Sequence, residues 1–136
     1  MARPMPKPYV VAEEKTDYAH QAYMILKFGF TVAPIIAGLD KFSNLLVDWT
    51  QYLTPLVPRW TGIDPAGFMM AIGVIEIIAG ILVAVKPKLG ALIVTAWLWG
   101  IIVNLLLVPG YFDVALRDLG LSFGALALAR LAKREE

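Results

Sequence analysis

Residues 68–85 read FMMAIGVIEIIAGILVAV, and the rest of the chain is organised around that run. It is apolar on every face of a helix and carries one carboxylate, Glu76, near its middle. A bilayer hydrocarbon core of about 30 Å needs about 20 helical residues, and the stretch from Ala66 to Val85 supplies that length. An ionisable group at such a depth costs about 2.5–3.5 kcal/mol or more, so these groups turn toward the protein interior and a partner. Glu76 is therefore expected to face inward, and the other helices must supply its partner.

The 136 residues are 59% hydrophobic and 17% charged, where a soluble domain averages about 45–50% and about 25%. The excess is gathered in long runs, which points to an integral membrane protein with the bilayer as its first partner, and the length allows one compact unit. A net charge of +1 and the lack of a Lys/Arg-rich tract give nucleic acid nothing to bind. With no cysteine, disulfides, thiolate metal sites, iron–sulfur ligation and thiol redox chemistry by this chain are excluded. One histidine, His20, leaves no His-based haem or zinc cluster. No metal site and no intrinsic cofactor are expected, so any redox chemistry would belong to a bound cofactor or a partner.

Residues 1–17 are polar and Pro-rich. No apolar core precedes a small-residue cleavage site there, which argues against a cleaved secretory signal. The segment reads as a disordered tail or as an extended arm docked on a partner. Helix 1 is expected over about 18–41, with Tyr23, Lys27, Thr31, Pro34, Gly38 and Lys41 on one stripe, at steps of three and four that keep a single face. Pro34 frees the carbonyl of Phe30, which must find another partner inside a membrane. Residues 42–64 form a long aromatic-rich connection with Trp49, Tyr52 and Trp60 suited to the headgroup level. Its Pro55, Pro58 and Gly62 break any long helix, so an interfacial loop with a short helical piece before Pro55 is expected, lying as a lid over the polar end of helix 1.

Helix 2 spans about 66–85, with Gly73 and Gly80 on the face of Glu76, a small-residue stripe that permits close helix approach. Lys86, Pro87 and Lys88 make a tight basic turn. Helix 3 follows over about 89–107, with Trp97, Gly100 and Asn104 on one side, and Pro109-Gly110 closes it. Helix 4 covers about 113–131 and holds Arg117, Asp118 and the pair Gly120 and Gly124, at the spacing of small-residue helix contacts. Residues 133–136 are a charged end. The expected fold is all-α, an integral membrane four-helix bundle over 18–132. Arg3, Lys7, Lys15, Lys86, Lys88, Arg130, Lys133 and Arg134 fall on one side, and Lys41, Arg59 and Arg117 on the other. That imbalance places both termini in the cytoplasm.

A rise of about 1.5 Å per residue converts position to depth. Counted from the helix starts, Lys27 and Glu76 both fall near the midplane, which makes a Lys27–Glu76 pair the expected middle layer of a polar interior. Asp40, Lys41, Asn104, Arg117 and Asp118 form its expected outer layer. These charges suit a ligand or proton path. They also suit packing, in which a Lys27–Glu76 or Arg117–Asp40 pair only fixes helix register and Asp118 serves the first turn of helix 4. Asn104 reads as an interhelical hydrogen bond or a ligand contact, Trp97 and Tyr23 as packing, and His20 as an exposed anchor at the interface.

The first helix ends Gly38-Leu39-Asp40-Lys41-Phe42, the second carries Gly73, Glu76 and Gly80, the third contains tryptophan, and the fourth opens with Arg117-Asp118-Leu119. This order resembles the DoxX/DoxD family of small four-helix membrane proteins of bacteria and archaea, over roughly Ala22 to Ala129. The resemblance implies the cytoplasmic (inner) membrane and an association with membrane oxidoreductases, since DoxD-like proteins are known as the membrane subunit of a thiosulfate:quinone oxidoreductase. It also implies that Lys41, Glu76, Arg117 and Asp118 line a common polar site. With no soluble partner domain and no cysteine for sulfur relay, thiosulfate oxidation by this polypeptide alone is not expected.

Three functions fit. The first is an accessory or quinone-proximal subunit of a larger membrane oxidoreductase complex. There Lys27, Asn104 or Arg117 would donate hydrogen bonds to a quinone carbonyl and Glu76 would pass a proton. The second is permeation of a small solute or proton, which would need a homo-oligomer because four helices make only a narrow pore and no second, matching half is visible. The third is a structural membrane subunit whose charges only hold the helices together.

Overall fold

The computed structural model describes residues 16–135, and apart from short connections these are helical, with no strand among them. The arm expected over 1–17 lies, up to residue 15, outside the described residues, as does residue 136 of the charged end. The helices are α1 (Tyr18–Ser43), α2 (Leu56–Thr61), α3 (Pro65–Val85), α4 (Pro87–Leu106) and α5 (Phe112–Glu135). A 3-10 turn, Trp49–Tyr52, stands between α1 and α2.

Helix ends follow local chemistry. The Asp17 carboxylate accepts the His20 backbone N–H at 3.0 Å to cap α1, and Asp64 accepts the Gly67 N–H at 3.2 Å with Pro65 opening α3, the usual caps of a helix start. Asn44 stops α1 in the left-handed region (φ 54°), its N–H donating to the Asp40 carbonyl at 2.6 Å. Between α3 and α4 stands Lys86 alone, and Pro87 starts the next helix. Gly90 makes that hairpin possible, because a Cβ there would sit 2.6 Å from Val83 Cα. The short helical piece expected before Pro55 is only the 3-10 turn, and the α-helical turn comes after it. Pro58 is tolerated inside α2 because it lies in the first turn, where backbone N–H groups have no helical partner.

Three helices, α1, α3 and α4, are long and apolar enough to cross a membrane. Helix α5 matches them in length, but Asp113, Arg117 and Asp118 at one end and Arg130, Lys133 and Arg134 at the other leave only 119–129 free of charge. Large apolar side chains cover the outside, Ile25 and Phe28 each being 71% exposed. Apolar area of this extent in water is unusual for a monomer, and lipid is the environment these faces suit.

Helix α1 lies along α3 and α4 along α5, while α3 also touches α4 and α1 also touches α5. Two apolar clusters result. One, toward the chain ends, gathers Tyr23, Val83, Val94 and Leu128. The other, toward the long connection, gathers Ile102, Leu105 and Ala115 with Tyr52 and Tyr111 against them. At the first end α1 and α5 meet through charge: Arg134 donates to Asp17 at 3.2 Å, and His20 Nδ1 lies 2.9 Å from Glu135 Oε1. The His20 N–H, with Arg134 behind it, holds the Asp17 carboxyl below its ordinary value of 3.8. Of the Gly120/Gly124 pair only Gly124 meets another helix, through the Phe30 ring, while Gly120 and Gly100 face open space. The 120–124 spacing is therefore not a helix contact along its whole length.

Candidate functional site

Glycines set the crossing of α1 and α3. A Cβ on Gly38 would lie 2.5 Å from the Gly73 carbonyl oxygen, and one on Gly73 would lie 2.6 Å from that of Gly38. Two turns further along α3, a Cβ on Gly80 would lie 2.7 Å from the Thr31 carbonyl oxygen. Backbone therefore meets backbone, as small residues allow. One helical step beyond each member of the first contact come Lys41 and Glu76, three residues after Gly38 and Gly73 and so on the same faces.

The consequence is an ion pair. Lys41 Nζ lies 2.5 Å from Glu76 Oε1, with Lys41 6% and Glu76 9% exposed. The Trp49 ring lies over the same ammonium, 3.8 Å from Nζ to the ring centroid, a cation–π contact that strengthens as water is excluded. The buried indole Nε1 of Trp97 faces the Glu76 carboxylate, its available acceptor, but falls short of hydrogen-bond geometry with it. Asp118 of α5, also buried, is near enough to act on Glu76 electrostatically. Ser122, one turn on, donates to the Leu119 carbonyl of its own helix at 2.6 Å. Along α4 and α5 this layer falls between the two apolar clusters, with Trp97 between Val94 and Ile102 and Asp118 between Ala115 and Ala125.

The expected Lys27–Glu76 pair does not form. Lys27 is half-buried, with its ammonium 5.7 Å from the centroid of the Tyr23 ring. Glycine register explains this. With Gly38 opposite Gly73 and Thr31 opposite Gly80, Glu76 is level with about residue 35 of α1, and Lys27 is about 12 Å away along the axis. Helix α1 overshoots the end of α3, so counting from its start places Lys27 too deep.

Two other candidates hold the long connection instead of the layer. Asp40 Oδ1 accepts from Ser43 Oγ (3.0 Å) and the Leu45 N–H (2.9 Å), while Oδ2 accepts from the Leu46 N–H (3.0 Å) and Trp49 Nε1 (2.8 Å). Asn104 accepts the Thr54 N–H at 2.9 Å and donates to the Tyr52 carbonyl at 2.6 Å. Arg117 reaches Asp118 Oδ1 at 3.3 Å, but its side chain is 67% exposed where that of Asp118 is 7% exposed. An Arg117–Asp40 pair is absent. The structure thus brings together Lys41, Glu76 and Asp118, keeps Asp40 beside them as a loop anchor, and separates Lys27, Asn104 and the Arg117 head from the pair.

The sequence alone marks Trp49 as an interfacial aromatic and Trp97 as packing. An indole nine residues after Asp40, on the connection that leaves α1, is the signal for the first; the second has none beyond its helix face. Among the described residues no group of three or more His, Asp or Glu side chains is arranged to hold a metal ion. Comparisons with models of protein families, with curated proteins and with solved structures find no match for this chain.

Proposed function

We propose that the chain is a four-helix integral membrane subunit of the cytoplasmic membrane of a bacterium or archaeon, accessory to an oxidoreductase complex and quinone-proximal. The observation that carries this reading is the buried Trp97 indole N–H, which faces the Lys41–Glu76 pair without completing a hydrogen bond, in a chain whose helices suit lipid. A buried donor without an acceptor is rare and costs about 1–3 kcal/mol. A quinone carbonyl would satisfy it, with Lys41 as a second donor and Glu76 as the group that passes a proton. Apolar helix faces suit an isoprenoid tail. The resemblance to DoxX/DoxD proteins supports the same reading, with Lys41, Glu76 and Asp118 in the shared polar site and Arg117 at its rim.

The test is organic extraction of quinone from protein purified with its complex in mild detergent. Quinone should be present, and Trp97→Phe should lower its retention about fivefold, the value of one net hydrogen bond of about 1 kcal/mol. Glu76→Gln should slow quinone-dependent turnover of the complex. Absence of quinone together with unchanged turnover in Glu76→Gln would leave a structural subunit, the reading favoured by the mutual neutralisation of Lys41 and Glu76.

A further inference from the structure

A second feature lies at the opposite end of the helices, where α1 begins and α5 ends. A groove of about 510 Å³ is walled there by Tyr23 of α1, Lys86 and Lys88 of the α3–α4 turn, Leu89 and Leu92 of α4, and Glu135 of α5. Among the described residues neither lysine has a carboxylate within ion-pairing distance. The acid in the wall, Glu135, is engaged by His20 at 2.9 Å. Helix α4 starts at this wall without a side-chain cap, so N–H groups of its first turn are free to donate, while the C-terminal ends of α3 and α5 offset its dipole and leave the two ammonium groups as the source of positive charge. Lys27, over the Tyr23 ring, brings a third cation to the same side. Beyond the charged rim the wall turns apolar, with Leu89 47% and Leu92 44% exposed on a helix fit to cross a membrane.

A cationic rim that runs into an exposed apolar wall matches a ligand with an anionic head and a hydrocarbon tail. We propose that this groove seats the phosphodiester headgroup of an anionic phospholipid, with an acyl chain laid along Leu89 and Leu92. Basic pockets between membrane helices recruit such headgroups, at about a fivefold gain for each Lys near the surface. Free phosphate would satisfy the lysines alone and leave the leucine wall uncovered. The inference rests on the chain being a membrane protein and is independent of quinone.

The test uses the full chain in nanodiscs of phosphatidylcholine with rising phosphatidylglycerol, read by native mass spectrometry of retained lipid and by melting temperature. Retention of phosphatidylglycerol over phosphatidylcholine should fall roughly thirtyfold in Lys86→Gln/Lys88→Gln. It should survive in Lys86→Arg/Lys88→Arg and in Lys133→Gln, whose charge lies outside the groove. The melting temperature in phosphatidylcholine alone shows that each variant is folded. Equal retention of the two lipids, or a preference that persists in Lys86→Gln/Lys88→Gln, overturns the proposal. So does inorganic phosphate at millimolar concentration if it raises the melting temperature as much as phosphatidylglycerol, because the site would then take a free anion. Alkaline carbonate washing of native membranes reports separately on the membrane reading, and a chain that washes off overturns that reading in its own right.

Discussion

Asp40 and Glu76 are both buried carboxylates at the crossing of α1 and α3, and their surroundings differ in kind. Asp40 is saturated: two backbone N–H groups, a hydroxyl and an indole converge on it, all from the nine residues that follow in the chain. Glu76 meets its counter-charge, Lys41, across a helix interface, with an indole N–H alongside that does not complete a hydrogen bond. A saturated carboxylate folds a loop and has little left to offer a ligand. An ion pair between helices that leaves a donor unused can exchange partners. The same contrast separates Asn104, spent on the Thr54 and Tyr52 backbone, from Trp97.

The contrast breaks most sharply at the pair itself. Glu76→Leu leaves the Lys41 ammonium buried without its counter-charge and is expected to cost about 3–5 kcal/mol, read by denaturant unfolding in detergent. Next comes the glycine contact that positions the pair. Gly73→Ala drives a methyl against the Gly38 carbonyl and should cost about 1–3 kcal/mol. Gly100→Ala, where open space surrounds the new methyl, should be neutral or gain up to about 1 kcal/mol. Equal effects at the two glycines would remove the backbone-on-backbone crossing from the account.

Asn104→Ala frees the long connection from α4. It should cost about 1 kcal/mol and speed proteolysis within 49–61, while leaving quinone retention unchanged. A loss of quinone there would move Asn104 from loop anchor to ligand contact. The smallest effect belongs to Asp17. Its carboxyl is held below the ordinary value, so its contribution is present above the unfolded-state pKa and lost as pH falls through the lowered, folded one. Asp17→Ala should lower the melting temperature slightly at neutral pH, where the cap and its charge both act, flatten the acid limb, and leave the region below the folded pKa nearly unchanged.

How much of this was legible in the sequence can be traced residue by residue. Apolar runs gave the long helices, because length and composition are local properties; Pro87, read as part of a turn, instead opens α4, and the Asp17 and Asp64 caps are seen only in the structure. The inward turn of Glu76 was also readable, since the cost of charge in hydrocarbon depends on depth alone. Its partner was not, because register between α1 and α3 depends on where two backbones touch. The stripe containing Gly38 and the stripe containing Gly73 were each visible, but nothing local aligned one with the other. A count from the start of α1 therefore chose Lys27 over Lys41. The use of Asp40 and Asn104 as loop anchors was hidden for a similar reason: their partners are mostly backbone N–H and C=O groups, which carry no residue-type signal.

Lys41, and not Lys27, neutralises Glu76 inside the helices. A pair of double-mutant cycles tests it most directly, using Lys41→Met and Lys27→Met each combined with Glu76→Leu, with unfolding free energy as the readout. Lys41→Met/Glu76→Leu should cost less than the sum of its single variants by about 2–3 kcal/mol, and the Lys27 cycle should be additive within about 0.5 kcal/mol. Additivity for Lys41, or coupling for Lys27, would contradict it.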